Sequence, residues 1–218
     1  MPLSSSAPDI QPLHIAIVAF DDFTDIDLIF IWDLLNRVHL PHWKVRILGE
    51  ASFHRSMTGL TISTHGPLSE ANTADAVLFT SGKGTRLKIQ DEEYLAQFNL
   101  NPERQLIGSI CSGALMLAAL GLLQGKQATT YPSAKPLLSA YGVHVIEKPL
   151  VIEGNIATAG GCLSAQYLAG WIIERLVGAD IANAVIKSCQ PVGEGLFFDT
   201  PVEAPQHVTP PLQQASAS

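Results

Sequence analysis

Basic residues are scarce: 13 Lys and Arg stand against 20 Asp and Glu, for a formal charge of −7 over 218 residues. No basic cluster offsets that balance, which excludes general nucleic-acid binding and disfavours anionic membrane surfaces, since both require concentrated positive charge. Charge of either sign is low at 15%, yet 47% of residues are hydrophobic, so a disordered chain is excluded as well. The three cysteines, Cys111, Cys162 and Cys189, are odd in number and far apart, so they make no disulfide framework; a reducing cytoplasm is the expected setting. No apolar run is long enough to span a bilayer without Gly or charge intervening. Residues 1–8 lack the basic segment and apolar stretch of a signal peptide. No repeat of solenoid period occurs. His39 and His42 flank Pro41 with no further ligand nearby, so they read as loop residues and no metal is expected. Gly82-Lys83-Gly84-Thr85 lacks the spacing of a phosphate loop, and neither nucleotide nor other cofactor is expected.

What remains is an alternation of short apolar runs with helical patterns. Residues 14–20 (His-Ile-Ala-Ile-Val-Ala-Phe), 43–48, 75–80 and 105–110 read as strands, and a short one is expected at 60–64. Helices are expected at 26–38, 91–100, 112–120, 133–141, 163–177 and 179–188, with a short extended piece at 128–131. Residues 150–158 read as a hairpin turning at Glu153-Gly154-Asn155. Strands alternating with helices specify an α/β fold, an open parallel sheet covered on both faces, with ligands beyond the carboxyl ends of the strands. One domain is expected over 13–199, between a tail at 1–12 and a Pro-rich tail at 200–218.

The most informative stretch is Ser109-Ile-Cys-Ser-Gly-Ala114. A β-branched strand ends on Cys111, small residues follow at once, and a helix begins. Such a sharp turn holds a nucleophile clear of the sheet, and a helix N-terminus favours thiolate over thiol. The glycine-containing loop Ser81-Gly-Lys-Gly-Thr85 leaves another strand at the same sheet edge. Cys162 and Cys189 read as small apolar packing residues at helix ends.

Four blocks resemble the DJ-1/PfpI (ThiJ) superfamily, and within it the isonitrile hydratase-like branch. They are residues 18–28, residues 77–84, Ser109-Ile-Cys-Ser-Gly-Ala running on to Thr129-Thr130, and residues 151–161. The resemblance covers 14–198 and implies a flavodoxin-like three-layer sandwich of the class I glutamine amidotransferase type. It further implies that Cys111 is a nucleophile, that Asp27 is the acid beside it and its proton donor, and that backbone N–H groups of Gly82, Lys83 and Ser112 form an anion pocket, with Tyr131 as a further substrate-binding residue. From the residues alone Asp22, Asp25, Asp27 and Asp33 are equivalent. A homodimer with its site near the interface is implied too.

The sequence departs from the family pattern in three places. Tyr131 follows Thr129-Thr130 where histidine is common; Ser81 and Lys83 replace proline and glycine of a Pro-Gly-Gly turn; Tyr167 stands where the branch often has Asp. Without a paired histidine a papain-like protease lacks its base. The expected activity is hydration of a small electrophile, an isonitrile, to an N-substituted formamide. Glyoxalase or deglycase chemistry, or a non-catalytic redox-sensing or ligand-binding role, are the alternatives.

Overall fold

Strand β1, Leu13–Val18, shows how the layers arise: Ile15 and Ile17 face one core while Ala16 and Val18 face another, the two-residue period of a strand buried on both sides. A computed structural model describes residues 11–191; residues 1–10 and 192–218, which include most of the two expected tails and the last part of the expected domain, lie outside the described residues. Chain order continues with α1 (Asp25–Asn36), β2 (Trp43–Gly49), β3 (Phe53–Arg55), β4 (Thr61–Ser63), β5 (Gly66–Pro67), β6 (Ala76–Phe79), α2 (Thr85–Lys88), α3 (Glu92–Leu95) and β7 (Leu106–Ile110). Among the described residues there follow α4 (Ala114–Ala119), β8 (Gln127–Ala128), α5 (Lys135–Ala140), β9 (His144–Val145), β10 (Leu150–Glu153), β11 (Ile156–Ala159), α6 (Ala165–Val177) and α7 (Ala179–Cys189).

Among the described residues, seven strands form one sheet in the order β10-β11-β7-β6-β1-β2-β5, parallel except for β10. The β10–β11 hairpin closes over Gly154-Asn155, with Gly154 at φ +67 as the first central residue of a two-residue loop requires. On one face Ile15, Ile17 and Ile110 share a core with α1 and with Leu168 and Ile172 of α6, and α7 packs against α6; the other face packs Val18, Val77, Phe79 and Ile107 against α4 and α5. This is the expected mostly parallel α/β sandwich. Gly108 lets α6 approach closely, because a Cβ there would sit 3.0 Å from Leu168 Cδ1. From β1 the chain goes to β2 on one side and to β6 on the other, so strand order reverses between β1 and β6 and opens a crevice at their carboxyl ends.

Two expected elements differ. The helix expected over 91–100 is only Glu92–Leu95. Asn72 draws the following chain away: its amide donates to Gln97 O at 2.9 Å, and its Oδ1 accepts from Asn99 N–H at 2.7 Å. The strand at 60–64 is β4, paired antiparallel with β3 in a separate hairpin and not part of the main sheet. Among the described residues, no helix is long and apolar enough to cross a membrane.

Candidate active site

Cys111 leaves β7 with φ +54, one of two non-glycine residues in the left-handed region among those described. That conformation costs an L-residue about 1–2 kcal/mol, so neighbouring contacts must hold it. Thr130 Oγ donates to the Cys111 carbonyl at 2.8 Å. Gly113 lies so close under β6 that a Cβ would sit 2.6 Å from Phe79 O. Small residues around Cys111 are therefore a steric requirement.

Asp27 comes from the first turn of α1, on the stripe it shares with Leu28, Ile31, Leu34 and Leu35. It is fully buried and reaches the cysteine from the neighbouring crossover. Ser81, at the end of β6 and itself buried, donates to Asp27 Oδ2, lies 3.1 Å from Thr24 Oγ, and hydrogen bonds to the Cys111 sulfur. Among the described residues, Asp27 Oδ1 has no nitrogen or oxygen partner. A carboxylate oxygen of Asp27 and the sulfurs of Cys111 and Cys162 all lie within 4.8 Å of one another. Cys162 is thus no packing residue, as the sequence reading had it. It opens the turn after β11, and the β7–β11 register of Ile110 opposite Ala159 brings both cysteine-bearing turns to one place.

The electrostatics follow from burial. Desolvation pushes the Asp27 carboxyl above the usual carboxylate range; hydrogen bonds from Cys162, Ser81 and Cys111 oppose this without cancelling it. Burial, then the nearby Asp27 charge, push the Cys111 thiol up to about 11, despite hydrogen bonds from Ser81 and the Ser112 N–H. The expected thiolate at a helix N-terminus is thereby corrected. The helix is only Ala114–Ala119 after a 3-10 turn, and its small dipole loses to desolvation. Ser81 touches both the acid and the thiol and so links them as a proton relay.

The other expected residues divide. Gly82 and Ser112 lie against the site: Gly82 N–H reaches Ser112 Oγ at 3.4 Å, and that hydroxyl lies 3.3 Å from Thr85 Oγ. Lys83 is exposed on the same loop, and Tyr131, next to Thr130 in the chain, is exposed at 46%. A cavity of 570 Å³ adjoins the site, walled by Thr130, Pro132, Pro149, Cys162, Leu163 and Tyr167. Cys162, half-buried, is the thiol on this wall; Cys111, 7% exposed, lies behind it. The signal for Ser81 and Cys162 was position: each ends or follows a strand neighbouring β7, at the same edge.

Comparison with known proteins gives the family and the fold. An isonitrile hydratase of Pseudomonas putida is 29% identical over 175 residues, 79% of this chain and 76% of that protein. A deglycase of Pyrococcus abyssi is 25% identical over 150 residues, 66% of this chain and 87% of its own. A solved ThiJ/PfpI family protein from Pseudomonas syringae superimposes with a TM-score of 0.75 at 23% identity, covering 93% of this chain and 87% of that one, which shows the fold. The DJ-1/PfpI family profile itself matches residues 13–175, from the first strand through most of α6, and the chain belongs to that family.

Proposed function

We propose that this protein hydrates a small electrophile through Cys111, with an isonitrile as substrate and an N-substituted formamide as product. The observation that carries the reading is the buried Asp27, its carboxyl raised by desolvation, beside a cysteine fixed at φ +54. Cys111 Sγ bonds to the terminal isonitrile carbon. Its proton passes through Ser81 and Asp27 to that same carbon, giving a thioimidate. Water adds to the thioimidate carbon, the nitrogen takes a proton, the C–S bond breaks, and formamide leaves as the thiol re-forms. A carboxyl group with a raised pKa suits both transfers near neutral pH, and no histidine is needed. The cavity walled by Pro132, Pro149, Leu163 and Tyr167 holds the organic substituent.

The reading extends to a cytoplasmic homodimer. Ile26 and Ile29 on α1 and Leu163 beside Cys162 are exposed at 43%, 40% and 52%, an apolar surface next to the site. A second reading, glyoxalase or deglycase chemistry, draws on the deglycase relative. One assay separates them: an alkyl isonitrile and methylglyoxal are offered in parallel to wild type and Cys111→Ala. Formamide formed by wild type and lost in Cys111→Ala is expected. Formamide undiminished by the substitution ends the proposal, and methylglyoxal turnover alone favours the second reading.

A further inference from the structure

The hydration scheme uses one sulfur, yet the site holds two. Cys111 and Cys162 are both unpaired, and their sulfurs lie within 4.8 Å with the Asp27 carboxyl close to each. They differ in freedom. Cys111 is fixed by its strand, by Thr130 and by Gly113 beneath β6. Cys162 begins a single 3-10 turn after Gly161, where a Cβ would meet nothing within 4 Å. The sulfurs lie within 4.8 Å of each other, whereas an S–S bond requires about 2.05 Å, so closing the gap takes a turn of at least one of the two side chains.

We propose that Cys111 and Cys162 form a reversible intramolecular disulfide when the protein meets a hydroperoxide, which makes the pair an oxidative modification site. The cavity leads a small peroxide to the pair through the Cys162 wall. The sulfur of one thiol attacks the peroxide and takes one oxygen to become a sulfenic acid; the O–O bond breaks, and the thiol proton goes to the departing oxygen, which leaves as an alcohol or water. The second thiol attacks that sulfur, the S–O bond breaks, and water departs with the protons. Two thiols are oxidised by two electrons, and one hydroperoxide is reduced. Two equivalents of a small thiol reverse the step by exchange. Because the partner sulfur is already in place, the sulfenic acid is consumed before a second peroxide converts it to the irreversible sulfinic acid.

The test is exposure of the wild-type protein to one equivalent of hydrogen peroxide, then alkylation and non-reducing peptide mass spectrometry. One alkylatable thiol of the original three is expected to remain, Cys189, with the Cys111 and Cys162 peptides linked at a mass lower by about 2 Da and separated again by dithiothreitol. Cys162→Ser is expected to accumulate sulfinic acid on Cys111, whereas Cys189→Ser behaves as wild type. Should Cys162→Ser be poorly folded, Cys162→Val under the same oxidation serves as the second variant. Sulfinic acid on wild-type Cys111 at the rate seen in the variant, an intermolecular link through Cys189, or no loss of thiol overturns the proposal. None of these outcomes depends on whether isonitriles are substrates.

Discussion

Two strand-to-helix turns stand side by side at the carboxyl edge of the sheet and are built on opposite terms. The turn after β7 is locked: Cys111 sits at φ +54, its carbonyl is held by Thr130, and Gly113 touches the backbone of β6. The turn after β11 is loose: Gly161 is extended at φ 179 with open space around it, and Cys162 is half-buried at the cavity wall. Strain at a reacting group persists only where its surroundings over-determine it. The contrast teaches that rigidity here is spent on one sulfur and withheld from the other.

Asp27 leans on both turns, and its replacement gives the largest effect. Asp27→Asn is expected to lower hydration by about 10²–10⁴-fold, the usual size of a general acid's contribution. The sign for stability is opposite. Burial raises the folded carboxyl above 3.8, so the native state binds this proton more tightly than the unfolded chain and wild type loses stability as pH rises from there through the folded pKa. Chemical denaturation at acid and neutral pH is expected to show Asp27→Asn gaining on wild type as pH increases; a constant difference would contradict it. Gly82→Ala comes next. Its Cβ overlaps the Asp22 carbonyl oxygen at a φ of +155, and a loss of about 2–3 kcal/mol in denaturant unfolding is expected.

The locked turn is sharpened by comparing two replacements of its own cysteine. Cys111→Gly relieves the left-handed strain that Cys111→Ala retains, so the glycine variant is expected to be the more stable by about 1 kcal/mol in thermal melts. Equal melting would mean that the turn is not strained. The smallest effect belongs to the loose turn: Gly161→Ala meets no neighbour and is expected to stabilise by roughly 0.4–1 kcal/mol through the unfolded chain. A loss comparable with that of Gly82→Ala would erase the contrast between the turns.

Continuous apolar runs made β1, β6 and β7 legible, and Gly154 marked the hairpin, because a buried parallel strand has few other ways to be written. Cys111 was legible for a steric reason, the small residues that its turn demands. Asp27 was not separable by composition from Asp22, Asp25 and Asp33, although its place one turn before Ile31 in the buried stripe of α1 distinguishes it. Asp25 bonds instead to Ser56 and Thr58, and Asp33 pairs with Arg37. Cys162 escaped because a cysteine between Gly-Gly and an apolar helix looks the same whether it packs or faces a cavity; only the β7–β11 register decides. The shortened α3 depended on Asn72, 25 residues before the carbonyl that it binds, and no local pattern records such a cross-link.

The site's acid and two sulfurs come from residues 27, 111 and 162, and the helix bearing the acid is bedded on α6 and tied at its far end by Arg37 to Ser188 of α7. During synthesis the acid therefore emerges early but acquires its seat only when α6 and α7 leave the ribosome. A nascent chain carries the ingredients of the chemistry without their arrangement, and reactivity arrives together with completion of the fold.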